Sequence, residues 1–528
     1  MREFLVRKRM RVLSTTRPSV ILLLIMAMIL PAALSQEKLK QDVTVTAVEV
    51  PVRVLHKDEI VKGLAKDDFE VFENGVKQDI TAFEIVSRKI AGVPVLAPSP
   101  GPTKPRPRLF VLIFDIFDYT DAVGEAIDYF FTNIFREQDH LAIVTESRLL
   151  NIEGVRSAGA LARNLKETLK NYKIISTKNI LKAYDDLQEE SGRLLQELRG
   201  EGGKLSNWDQ AVAQFYDNYT RIWRIYRSQF IMPDVDLYQA VLKRIQPIDA
   251  EKWAVCFQQR ELFPELKNEG PLEKEINKRK EGATDPIDQV KSRQIQSKQW
   301  QLQQEFDLAK NFPSDRLKNL FIGSGITFHL ILMKSLKTIV SEDFHLREVA
   351  ADYESCFKEI SRSTGGYLAF SNKAQDALKE ASEKEDYHYL LVYQPKGPLE
   401  TRGKNIDVRV RKEGVDVYNL KQYMKLGSPV MTIADVNAGR QTLRFSLKNY
   451  AMVKTGKGLQ GAAAVSVTIF DGQFNTAFAE GKTLDLVKDE IHIALNLGRL
   501  KPGSYFLLIE ALDKITGEKD LYSRLIEL

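Results

Sequence analysis

The stretch RLFVLIFDIFDYTD, Arg108–Asp121, decides how the chain is read. From Arg108 an apolar run leads to an aspartate, Asp115, and polar residues with a helical pattern follow at once. A strand with one wet face alternates polar and apolar residues, so a run without alternation belongs to a strand covered on both faces. Similar buried-strand runs recur at HLAIVTES (His140–Ser147), KWAVCFQ (Lys252–Gln258), GITFHLILM (Gly325–Met333) and GGYLAF (Gly365–Phe370). Helical patterns lie between them, among them AVGEAIDYFFTNIF and LREVAADYESCFKEISRST. Strand–helix alternation of this kind predicts an α/β fold with a doubly wound parallel sheet, Rossmann-like in class.

Two insertions interrupt the alternation. Residues 174–230 predict a helical pair divided by the glycines of RGEGGK. Its second member carries Trp208, Phe215, Tyr219, Trp223, Tyr226 and Phe230 at helical steps, which makes an amphipathic face. Packing against a partner helix is the first expectation for that face. Trp208, Tyr219 and Trp223 are its candidates for contact with another protein. Residues 265–315, with KSRQIQSKQWQLQQEF, are charged and glutamine-rich and predict a solvated helix.

The flanks differ in class. VTVTAVEVPVRV (Val43–Val54) alternates strictly, and GLAKDDFEVFENGVKQDITAFEIV follows with an Asn74-Gly75 turn, so residues 36–90 predict a small β module. Residues 91–107 are proline-rich and form a linker. The α/β domain then runs over 108–372, and 373–426 extend it with a helix, a strand and a hairpin turning at Glu413-Gly414. Short alternating strands between Gly/Pro turns over 429–528 predict an Ig-like β-sandwich.

Composition limits the function classes. The 528 residues carry a formal charge of +5, with 44% hydrophobic and 28% charged residues, ordinary for globular chains. Residues 1–35 hold six Lys/Arg and one Glu, which is the whole excess; the remainder balances at 70 against 70 and offers no electrostatic footprint for nucleic acid. That first segment reads as a signal peptide, with a basic start, the apolar core VILLLIMAMIL, and Ala33 and Ser35 before Gln36. An uncleaved anchor would be the one contact with a membrane. Export to the periplasm or beyond is expected. The two cysteines, Cys256 and Cys356, sit in apolar stretches and read as buried thiols. His329 reads as a core residue and His388 as a surface one.

The order of segments resembles the von Willebrand factor type A-related family of exported bacterial proteins. The likeness rests on Gly63, Leu64, Asp68, Phe69, Val71, Glu73, Asn74, Gly75, Ile80 and Phe83 near the start. STGGYLAF, YHYLLVYQP and IDVRVRKEGVDV follow in the expected order, and the likeness spans roughly residues 43–424. It implies a type A domain, which often binds partners through a metal-ion-dependent adhesion site. Such a site needs Asp-x-Ser-x-Ser after the first strand, then a Thr and an Asp from later loops. Mg²⁺ takes oxygen ligands at about 2.1 Å, and short hydroxyl side chains reach it.

Here that pattern is degenerate. Asp115 matches, but the serine places fall on Phe117 and Tyr119, and the register Asp118, Thr120, Ala122 saves one hydroxyl only. Asp236 stands for the later threonine, and Gln258, Gln259 and Arg260 stand for Ser-Asp-Gly. Arg260 is expected to set a cation near the metal position and oppose Mg²⁺. Asp115, Asp118 and Asp236, with Asp121, are the metal candidates, and gathered together they would suit Ca²⁺ better than Mg²⁺. The preferred reading is that they cap turns and helices and that no cofactor is bound. Tyr119, Thr120 and Arg260 are then candidates for contact with a protein partner in the cell envelope. No G-x-S-x-G, Walker loop or H-E-x-x-H is present, so an enzyme is not expected.

Overall fold

The computed structural model describes residues 47–528, apart from residues 58, 88–106, 146–147, 151–157, 201–206, 261, 335–339, 350–352, 397–403, 424–430, 440, 456–457, 472–475 and 489. The expected signal peptide (1–35) and most of the proline-rich linker therefore lie outside the described residues. No helix among the described residues is long and apolar enough to cross a membrane.

The chain is mixed α/β. Its central sheet has six strands: β1 (Arg108–Asp115), β2 (His140–Thr145), β3 (Arg148–Leu150), β4 (Glu251–Arg260), β5 (Thr327–Lys334) and β6 (Leu368–Phe370). They lie in the order β3-β2-β1-β4-β5-β6. All neighbours are parallel except the β2–β3 edge pair. β1 is buried from Arg108 to Phe114, as its unbroken apolar run requires. At its start the Arg108 guanidinium is buried against Asp139, with Nη2 2.6 Å from Oδ2. Register sets Asp115 beside Gln258 and Phe114 beside Thr145. The chain moves from β1 to β2 on one side and later reaches β4 on the other. The loops after β1 and β4 therefore part company at the sheet's carboxyl edge, where open α/β sheets leave a crevice.

Helices α1 (Asp121–Tyr129), α2 (Ala158–Arg199), α3 (Trp208–Tyr226), α4 (Val235–Ile245), α5 (Pro286–Phe306), α6 (Glu354–Ser363) and α7 (Ala374–Glu385) accompany the sheet. The first helical pair begins at Ala158, earlier than the expected residue 174. Its aromatic face is interior: Trp208 is 8% exposed, Tyr219 and Trp223 0%. Trp223 Nε1 donates to the Glu305 carbonyl at 2.8 Å, and its ring lies 4.5 Å from Phe306. Tyr219 donates to the Pro264 carbonyl and accepts from Leu266 N. The three residues are thus not a docking surface, which corrects that expectation. The cover is α5, expected to be solvated. Ile295, Leu302 and Phe306 recur on it at steps of seven and four and are buried, while Trp300 faces out.

The flanking modules are joined differently from the sequence reading. Strand Val48–His56 pairs with both Tyr387–Tyr393 and Asp416–Asn419, and Phe69–Glu73 pairs with Lys404–Val410. The module expected at 36–90 and the extension expected at 373–426 are therefore one β unit. Val50, Val52, Val71, Tyr389 and Leu391 share its core. Neither segment alone could cover its apolar face, which explains the interleaving. Asn74 and Gly75 form the tight turn, with φ of 48° and 81°. The arms around Glu413-Gly414 pair into two different sheets instead of forming a hairpin. Beyond residue 431, two antiparallel sheets pack around one core that includes Leu443, Phe445, Val467 and Leu507.

Candidate functional site

The carboxyl edge of the central sheet is built from the ends of β1 and β4 and the loop that enters α1. Gln258 and Gln259 are both buried, although β4 places them on opposite faces. Gln258 Nε2 donates to Asp115 Oδ2 at 3.0 Å. Gln259 Oε1 accepts two backbone N–H groups of the loop, from Phe117 at 2.9 Å and Asp118 at 2.8 Å. One amide thus contacts the Asp115 carboxylate and the next fixes the loop that leaves it.

Phe117 occupies the first expected hydroxyl place. Its side chain is 8% exposed, with the ring 5.0 Å from Phe230 and 6.3 Å from Tyr226. Thr177, from α2, donates to the Phe117 carbonyl. The loop is thereby pinned to the helix Ala158–Arg199, with Phe117 as an apolar wedge where the resemblance implies a hydroxyl. Tyr119 folds back over α1, so that its hydroxyl would stand 2.5 Å from any Cβ placed on Gly124. Burial, then Asp128 and Asp121, hold its phenol above the ordinary range. Thr120 starts α1, and its carbonyl accepts from Val123 and Gly124.

Arg260 does not face Asp115, contrary to expectation. Its Nε and Nη2 each lie 3.0 Å from the Glu354 carboxylate at the start of α6, and Nη1 lies 3.1 Å from Glu348. The guanidinium also sits over the Phe370 ring, which is 58% exposed, and Lys358 approaches the same ring. Asp236 pairs with the exposed Arg316 at 3.0 Å. It lines a cavity of about 320 Å³ between α4 and the turn Thr516–Asp520. The aspartate that caps α4 is Asp234, whose carboxylate accepts from Leu237 N.

Asp115, Asp118 and Asp236 consequently do not form a group with ligand atoms within 4.8 Å of one another. That corrects the idea of a gathered acidic cage. The structure brings Asp118, Tyr119 and Thr120 together on one loop and turns Arg260 toward a separate patch with Phe370. In the sequence Gln258 and Gln259 stand out only as departures from Ser-Asp-Gly; their contacts with Asp115 and with the loop amides carry no sequence motif. The clue was their type: an amide offers both donor and acceptor from one position.

Both thiols are buried and protonated. Burial, then Asp115, pushes Cys256 well up, and burial takes Cys356 to about 11. His388 is 2% exposed, so its expected surface placement is corrected as well.

No protein-family model and no curated protein matches the chain. Among solved structures, a β-glucuronidase from Bacteroides uniformis is similar over 27% of this chain and 19% of its own, at 12% identity and a TM-score of 0.15. A calcium-binding mutant of Bacteroides uniformis β-glucuronidase 2 matches over the same shares at 13% identity and a TM-score of 0.14. The chain therefore spans about a fifth of the solved chains it resembles.

Proposed function

We propose that this chain is an exported, non-enzymatic protein-interaction module built on a type A scaffold, with its adhesion-type metal position replaced by side-chain amides. The strand order, with one antiparallel edge strand, supports the doubly wound type A reading. The observation that carries the functional part is the Gln259 clamp on Phe117 and Asp118, beside the Gln258–Asp115 contact. Together they order the loop that would otherwise hold a bridging ion. Contact with a partner then falls to the half-buried Asp118, Tyr119 and Thr120, and to the neighbouring patch of Arg260, Lys358 and exposed Phe370. An aromatic ring between two cations suits the centre of a protein contact.

The test is photo-crosslinking from residue 119 or 370 in envelope extract, with and without EDTA. One partner, captured equally under both conditions and lost in Phe370→Ala or Tyr119→Ala, is the expected result. Capture abolished by EDTA and restored by Mg²⁺ or Ca²⁺ would instead support a metal-bridged adhesin.

A further inference from the structure

The opposite, amino edge of the central sheet meets the β unit, and a mixed cluster lies at this seam. β4 begins with Glu251, whose Oε1 accepts from Trp253 Nε1 at 2.6 Å. α7 ends with Glu385, and His388 follows three residues later in the strand Tyr387–Tyr393. The ligand-capable atoms of Glu251, Glu385 and His388 all lie within 4.8 Å of one another, and Glu385 and His388 are buried.

Two details orient the group. His388 Nδ1 lies 3.1 Å from the Glu385 carbonyl, and a carbonyl only accepts, so Nδ1 carries the proton. Nε2 therefore holds the lone pair, and the backbone fixes the ring as an outer partner fixes a metal-binding imidazole. Arg53, from the β unit, places Nη1 2.8 Å from Glu385 Oε1 and so engages one oxygen of that carboxylate.

A third observation comes from a residue outside the cluster. His329 on β5 is 1% exposed, and its Nδ1 accepts from Tyr367 N at 3.2 Å. In a neutral ring the proton then sits on Nε2. That atom faces Glu385 Oε1 at 3.7 Å, beyond hydrogen-bond reach, and has no partner. A buried donor without an acceptor costs about 1–3 kcal/mol. A water on a cation held by the cluster would supply the acceptor.

We propose that Glu251, Glu385 and His388 bind one divalent cation of the zinc class at this seam, with His329 Nε2–H directed at a water on that cation. One imidazole and two carboxylates suit zinc, manganese or cobalt, whereas magnesium and calcium favour all-oxygen sets. Ligand atoms around tetrahedral zinc stand about 3.4 Å apart, so side-chain rotation of roughly 1 Å closes the set. The cation joins β4 of the central sheet to the helix–strand corner at residues 385–388.

The experiment uses the untagged chain, stripped with EDTA, loaded with Zn²⁺ or Co²⁺, freed of excess by gel filtration and assayed by elemental analysis. The expected result is about one retained equivalent. The Co²⁺ form should show visible bands of a low-coordinate N/O site. Mg²⁺ should neither be retained nor displace the Co²⁺. Glu251→Gln, at a half-exposed strand start, should lower retention at least tenfold with an unchanged circular dichroism spectrum in EDTA. His388→Gln should do the same, and if it does not fold, Glu251→Gln decides. Less than a tenth of an equivalent on the wild-type chain would overturn the site. So would equal retention by Glu251→Gln.

Discussion

Gln259→Ala tests the clamp that defines the carboxyl edge. The substitution removes the oxygen that receives the Phe117 and Asp118 amides at 2.9 and 2.8 Å. A buried donor left without its acceptor costs about 1–3 kcal/mol, and the half-exposed Asp118 recovers part of its share from water. The expected local loss is about 2 kcal/mol, a factor of roughly 30 in the opening equilibrium of the loop. Global unfolding is a poor gauge for a chain with several cores, because two-state behaviour is not assured. Hydrogen exchange followed by mass spectrometry on peptides covering residues 112–122 reads the loop directly. Exchange there should quicken about 30-fold while peptides from α3 stay unchanged. Gln259→Glu keeps an acceptor and should restore most of the protection. Exchange within threefold of wild type in Gln259→Ala would refute the clamp, and with it the account of how this loop is ordered.

Other perturbations probe separate links. Burial, aided by the Arg53 charge, lowers His329 from an ordinary 6.5 to about 3. The unfolded chain takes up this proton below pH 6.5 and the folded chain only near pH 3, so the stabilisation is complete above 6.5 and lost as pH falls. In EDTA, this group should cost about 1.6 kcal/mol of stability in all between pH 6.5 and 5, and His329→Gln should flatten the slope. Equal slopes in urea titrations would count against a neutral buried ring. In Gly366→Ala the new Cβ would meet the Phe328 carbonyl oxygen at 1.7 Å, a backbone clash no rotamer relieves. A loss of at least about 3 kcal/mol is expected, and an unchanged Tm would show that the approach is looser. Asp139→Asn removes the charge beside buried Arg108 and should cost about 3–5 kcal/mol in chemical denaturation. A cost under about 1 kcal/mol would mean that water reaches the guanidinium.

Much of this was legible where the information is local. The run at Arg108–Phe114 announced a doubly covered strand because no other placement hides so many apolar side chains in succession. Asn74-Gly75 announced its turn because both residues accept positive φ. The aromatic stripe on α3 was readable as apolar but not as covered, since its cover is a helix some 80 residues on, diluted by glutamines. His388, between two tyrosines, looked like a strand start, and only the cross-chain pairing of Val48–His56 encloses that strand. Arg260 was placed by charge alone, whereas its partners come from Glu348 and Glu354, which no spacing rule links to β4. Glu385 and His388 stand three residues apart, but Glu251 precedes them by more than 130 residues, so no short ligand motif joins all three.

The pairing of Val48–His56 with Tyr387–Tyr393 and Asp416–Asn419 also has a bearing on how the chain matures. A polypeptide emerging amino end first presents this strand, paired only at its end with Glu59–Ile60, more than 300 residues before its two long partners exist. During that interval its row of valines and open backbone groups forms an unguarded edge, the kind that recruits strands from other chains. The central sheet, whose strands all lie between residues 108 and 370, can assemble in the meantime. The β unit closes only after that, like a clasp, and a chain truncated before residue 387 would keep the strand Val48–His56 permanently adhesive.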